Sequence, residues 1–149
     1  MSLTVDILAF DAKTKERFKL VRKAATMQLF ENIISDTPVL SGNLQSNWNA
    51  SENEPDLSYT DLGQKGKTET KTGRGQDSHQ DVIIDRMKAI VDKTGDDSAV
   101  YLSNPTPYGP IIEYDGHSTQ EAPDGMVRIN VVKFPQIVET EALKVEALP

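Results

Sequence analysis

From Asp11 to Ile34 the chain runs without glycine or proline, and Pro38 lies just beyond. This pattern predicts one long helix. Asp11 is the expected N-cap, its carboxylate accepting a backbone N–H of the first turn. Two apolar stripes run along the predicted helix: Phe18, Val21, Ala25 and Leu29 form one, and Leu20, Ala24, Met27 and Ile34 form the other. At 100° per residue they fall on nearly opposite sides, with Lys19, Arg22 and Lys23 between them. A surface helix of a monomer needs one stripe. A second implies either deep burial or a neighbouring subunit.

The next stretch, Thr37 to Trp48, reads as a turn and a short helix. Pro38 ends the first helix, Ser41 is placed to cap the next, and Leu44 and Trp48 share a face four residues apart. Trp48 is the single tryptophan and is expected to anchor the core. Asn49 to Ser78 is the least ordered-looking region. Between Gly63 and Gln76 there is no aliphatic or aromatic side chain, so nothing there offsets an ordering entropy of about 1–2 kcal/mol per residue. This predicts a flexible arm at about 61–78, carrying Lys65, Lys67, Lys71 and Arg74 against Glu69. It reads either as a solvated loop or as a segment facing an acidic partner or passing DNA.

Ser78 to Lys93 is predicted as a second helix, with Asp81 at the capping-box position, an apolar face of Ile83, Met87 and Ile90, and a stop at Gly95. Ala99 to Ser103 is a short β-type run. Tyr108 to Tyr114 is apolar and is broken by Asp115-Gly116. Met126 to Phe134 alternates well enough for a strand, with Val127, Ile129 and Val131 on one side. Pro135 then opens a last helix, Gln136 to Glu146. The alternative, one helix from Asp124, puts Pro135 in its interior at a cost of about 3 kcal/mol. The expected fold is α+β: a long N-terminal helix and a second helix packed on a small, mostly antiparallel sheet, with a long mobile loop and a C-terminal helix, in a single domain over 1–149.

Composition narrows the function. With 149 residues the chain is long enough to bury a core. Hydrophobic residues make up 37% and aromatics 6%, a lean supply that points to surfaces completed by other subunits. A net charge of −7 argues against gripping DNA through its phosphates, though not against lining a channel that DNA slides through. There is no cysteine, hence no disulfide or thiolate metal site. No apolar run reaches the roughly 20 residues of a membrane span, and Met1 to Phe10 is too short and too acidic for a secretory signal. These features predict a protein made and used in a cytoplasm, away from membranes.

Candidate chemistry is sparse. Gly66-Lys67-Thr68 lacks the earlier glycine of a phosphate-binding loop, since position 61 is Asp61. His117 stands near Glu113 and Asp115, but one histidine among acids is not a metal site. His79 falls at a predicted helix start. Ser118, His117 and Asp124 form a triad only on paper. No catalytic, cofactor or metal residues are assigned.

Two ordered stretches remain. The first is Thr37-Pro38-Val39, Ser41-Gly42, Leu44 and Trp48. The second is Asn104, Pro107-Tyr108, Glu113-Tyr114 and Ala122-Pro123-Asp124-Gly125-Met126-Val127. Together they resemble the neck or tail-completion proteins of long-tailed bacteriophages, a group to which the lambda-type minor tail protein Z is similar. The likeness covers about two-thirds of the chain. Asp115, between Tyr114 and Gly116, and Glu121 depart from the pattern and add acid to one loop. The arm lies outside the likeness. The resemblance implies a virion structural protein without enzymatic activity or cofactor. It would form a homo-oligomeric ring, a hexamer or a dodecamer, between head-side adaptor or stopper proteins and the tail terminator and tube, assembled in the host cytoplasm, with DNA passing transiently through its lumen. Leu20, Ala24, Met27, Tyr108, Glu113, Tyr114, Asp115 and His117 are the candidate contacts between subunits or rings, with Glu113, beside two tyrosines, placed either to accept hydrogen bonds within the fold or to pair with a neighbour's arginine; Lys65, Lys67, Lys71 and Arg74 are the candidate arm contacts. The alternatives are a tail terminator ring, a cellular adaptor binding an acidic partner through the arm, and a small hydrolase or nuclease using His117. Full infectivity of a His117→Ala phage would remove the last.

Overall fold

The computed structural model describes residues 3–39, 42–60, 80–115 and 122–148, with side chains from Ile7 onward. The order is α1 (Leu3–Ser35), α2 (Asn43–Ser46), β1 (Asn49–Glu52), α3 (Gln80–Lys93), β2 (Val100–Ser103), α4 (Gly109–Tyr114) and α5 (Arg128–Glu146). The architecture is the expected α+β one, with helices packed on a small antiparallel sheet of β1 and β2. The predicted arm, with Lys65, Lys67, Lys71 and Arg74, lies outside the described residues, as do His79 and His117.

The core sits where α1, α3 and the start of α5 converge. Phe30, Ile33 and Ile34 of α1, Ile83, Met87 and Val91 of α3, and Leu44, Trp48 and Met126 form one buried cluster. On α3, Val91 takes the buried place expected of Ile90, which is only half-buried. Trp48 is the core anchor that its position suggested.

α1 is longer than its sequence signals indicated. It begins at Leu3, and Asp11 is an interior residue paired with Lys15 one turn on at 2.8 Å. Its division is also different. The two stripes do not separate a core face from an outer face; the separation runs along the axis. Ala25, Phe30, Ile33 and Ile34 are buried, whereas Ile7, Leu8, Phe10, Phe18 and Leu20 are exposed. Deep burial therefore holds for the C-terminal half alone.

Two elements differ in kind from the expectation. β1 forms from Asn49, Ala50, Ser51 and Glu52, which looked like the start of a disordered stretch. It pairs with β2 in the register Asn49↔Ser103 to Glu52↔Val100. Strand formation follows context more than intrinsic preference, and here a ready edge in β2 supplies that context. Asn53, at φ 65°, turns the chain away, with its N–H on the Ala99 carbonyl at 2.8 Å.

The strand expected over Met126 to Phe134 is the first part of α5, a helix that continues through Pro135. The apparent alternation was misleading: Val131 and Val132 are exposed, while Asn130 is buried. The inward positions are Met126, Asn130, Phe134, Ile137, Glu141 and Val145, buried or half-buried at helical spacing. This face packs along α1, the most extensive helix–helix contact of the fold. That packing, with the cap described below, offsets the cost of an interior proline.

Lys23 and Arg22, which lie between the stripes of α1, hold the end of α3 and the turn that follows it. The Arg22 guanidinium donates to the carbonyls of Gly95 at 2.6 Å, Asp96 at 2.7 Å and Ser98 at 3.3 Å. Lys23 Nζ donates to the Asp92 carbonyl at 2.5 Å. Cations suit the C-terminal end of a helix, where carbonyls lack intrahelical partners. Arg22→Ala is expected to destabilise the fold by about 1–2 kcal/mol. Arg22→Lys should recover little, since an ammonium cannot span three carbonyls as the planar fork does. Urea denaturation of the two variants provides the comparison.

Candidate functional site

The two motif stretches meet. In the first, Thr37 follows α1 and its hydroxyl works in both directions. It donates to the Ile33 carbonyl at 2.7 Å and accepts from Trp48 Nε1–H at 2.9 Å. Gln45 Nε2 donates to the Ile34 carbonyl at 3.1 Å. Gly42, not Ser41, occupies the N-cap position of α2 at φ 78°, a conformation natural to glycine; Ser41 lies outside the described residues. Asn47 ties the stretch to the following loop, donating to the Thr60 carbonyl at 2.9 Å and accepting the Thr60 N–H at 2.8 Å.

The second stretch centres on Glu113. Its side chain is buried, and it reaches the N-terminus of α5. Oε2 accepts the N–H groups of Met126 at 2.8 Å and Val127 at 2.9 Å, and Oε1 accepts the Arg128 N–H at 2.8 Å. These N–H groups open α5, where no intrahelical acceptor exists and the helix dipole favours negative charge. Arg128 adds Nε–H to Oε1 at 3.3 Å and Nη2–H to the Glu113 carbonyl. Burial by itself would raise the Glu113 pKa. The hydrogen bonds from Val127, Arg128 and Met126 outweigh it and hold the carboxyl below the ordinary glutamate value. Gly125 makes the approach possible at φ +84°, where an added Cβ would lie 2.7 Å from both the carbonyl oxygen and Oε1 of Glu113.

Three asparagines join the stretches. Asn104 Nδ2 donates to the Leu44 carbonyl at 2.7 Å, and Asn43 Nδ2 donates to the hydroxyls of Tyr59 at 2.9 Å and Tyr108 at 3.1 Å. Asn130 Nδ2 donates to Asp36 Oδ2 and the Met126 carbonyl, both at 2.8 Å. Motif residues that looked like independent signals thus form one connected joint at the end of α1. Arg128 and Asn130 were not singled out from sequence. Arg128 directly follows the second stretch, a visible signal, whereas Asn130 had none.

The expected contact residues divide accordingly. Glu113, 5% exposed, and Met27, packed against the core, serve the protomer's own fold. Ala24 is half-buried, and Leu20 is exposed. Tyr108, Tyr114 and Asp115 are exposed beside the joint, with the Arg128 guanidinium 5.1 Å from the Tyr114 ring centre, a cation–π distance. His117 lies outside the described residues.

Two further features complete the surface. Phe10 and Phe18 are each 73% exposed on the outer half of α1. At the inner half a cleft of about 220 Å³ opens between α1, α3, β2 and α5, lined by Thr26, Leu29, Phe30, Val91, Val100 and Phe134, with Arg22, Lys23 and Ser98. Among the described residues no group of three or more His, Asp or Glu side chains is placed to hold a metal ion, and no helix is long and apolar enough to cross a membrane. No protein-family model, no curated protein and no solved structure matches this chain.

Proposed function

We propose that this protein is a non-enzymatic structural subunit of the neck of a long-tailed bacteriophage. Copies of it form a ring that completes the tail and joins it to the head around a lumen for DNA. The observation that carries the reading is the outer half of α1, where Ile7, Leu8, Phe10, Phe18 and Leu20 are all exposed to water. Water-facing apolar clusters of this kind mark interaction surfaces. The step from oligomer to phage neck rests on the resemblance of the two motif stretches. A joint that holds α1, α2, α4 and α5 together by a network of hydrogen bonds suits a scaffold whose task is to present rigid surfaces. The net charge of −7 suits a lumen wall that repels DNA. The partners are further copies of the chain, the head-side adaptor or stopper, and the tail terminator and tube.

Native mass spectrometry across micromolar concentrations is expected to show one closed oligomer. Phage lacking the protein are expected to make tails of normal length that fail to join heads. Tails of irregular length would assign it to termination instead. Strict monomers that also fail to assemble on portal complexes would remove the ring.

A further inference from the structure

The outer half of α1 carries an exposed aromatic side chain, and the inner half borders an apolar cleft with cations at its edge. On the outer half, Ile7 and Phe10 sit three residues apart and therefore on one face, and both are largely exposed. Asp11 follows Phe10 directly and is paired with Lys15 one turn on. On the inner half, the cleft has an apolar lining, with the cationic side chains of Arg22 and Lys23 beside it. A cavity of about 150 Å³ lined by Leu, Ile and Phe takes up benzene, so a cleft of about 220 Å³ has room for a phenylalanine ring. A straight helix keeps the two features apart within one chain. From position 10 to position 26 is sixteen residues, about 24 Å along the axis. Phe10 therefore cannot reach the cleft of its own chain, and a second copy can supply it.

The geometry points to a head-to-tail contact in which Phe10 of one protomer seats in the Thr26–Leu29–Phe134 cleft of a second copy, with Asp11 exchanging its exposed pair with Lys15 for Arg22 and Lys23 of that copy. This deepens the ring reading and rests on it. A knob and a hole at different places on one surface make a heterologous contact, which closes into a ring when the rotation permits and otherwise propagates as a filament.

The absence of native cysteine makes the contact directly testable. Full-length Phe10→Cys and Thr26→Cys chains, distinguished by tags, are co-expressed and treated with a short bismaleimide. The expected product is a covalent pair containing one of each, with no pair from either variant alone. Phe10→Ser is expected to weaken self-association at least tenfold while leaving far-UV circular dichroism unchanged, because Phe10 touches little of its own fold. Self-linking of Phe10→Cys would show outer halves pairing with each other and would overturn the contact. An assembled oligomer that gives no mixed pair would also overturn it, leaving the ring in place. Mixed pairs whose native mass never exceeds a dimer would keep the contact and remove the ring.

Discussion

Trp48→Ala is expected to lower the unfolding free energy by about 3–5 kcal/mol, the usual range for deleting a buried tryptophan. Against the 5–15 kcal/mol typical of a whole domain, that is the largest single loss expected in this chain. Two effects combine. The indole belongs to the same buried cluster as Ile33, Ile34 and Met87, and alanine leaves a cavity there. The ring nitrogen also donates to the Thr37 hydroxyl at 2.9 Å, which locks the turn after α1. Trp48→Phe separates them. It keeps most of the ring and loses the hydrogen bond, so a loss of about 1–2 kcal/mol is expected. Thr37→Val should cost a similar amount and be less than additive with Trp48→Phe, because both remove the same bond. The measurement is urea denaturation followed by circular dichroism, since the substitutions remove the only tryptophan. Equal losses for Trp48→Phe and Trp48→Ala would show that the hydrogen bond, not the packing, dominates.

Glu113→Gln is expected to cost about 3 kcal/mol at neutral pH. The carboxylate accepts on both oxygens: Met126 and Val127 N–H on one, Arg128 N–H and Nε–H on the other. An amide offers one oxygen, so whichever way it turns, one set of donors faces an NH₂ group. Buried unsatisfied donors cost about 1–3 kcal/mol, and hydrogen bonds to a charged acceptor are worth more than neutral ones. The pH dependence has a definite sign. The folded-state pKa of Glu113 lies below the ordinary value, because the hydrogen bonds to its charged form outweigh the opposing effect of burial. The stabilisation is therefore full above the ordinary glutamate pKa and is lost as pH falls through the lower folded-state value. The gap between wild type and Glu113→Gln should be widest at neutral pH and narrow in acid. Urea midpoints over a series of pH values test this; a gap independent of pH would mean that the carboxylate charge contributes nothing. Gly125→Ala attacks the same joint from the other side, placing a Cβ 2.7 Å from Glu113, and its effect should add poorly to that of Glu113→Gln.

Much of the fold was readable because its signals are local. The absence of Gly and Pro through α1, the i, i+4 spacing of Ile83 and Met87 in α3, the β-type run of β2 and the isolated Trp48 each identify an element or an anchor without knowledge of the rest. Glu113 was visible as an acceptor of hydrogen bonds within the fold and as a contact residue, but its donors were not, because nothing in the neighbourhood of Tyr114 announces that a helix fifteen residues later needs its carboxylate. The α+β class, the two main helices and the core tryptophan were determined by sequence alone. Tertiary structure decided that β1 forms from polar residues, that α5 runs through Pro135, and that the apolar side chains of α1 divide along its length rather than around it. The physical reason is one of scale. Local preferences are worth tenths of a kilocalorie per residue, whereas an interior proline costs about 3 kcal/mol. That cost is offset only by the Glu113 carboxylate on the first N–H groups of α5 and by the packing of α5 along α1, and neither interaction exists until the chain is folded.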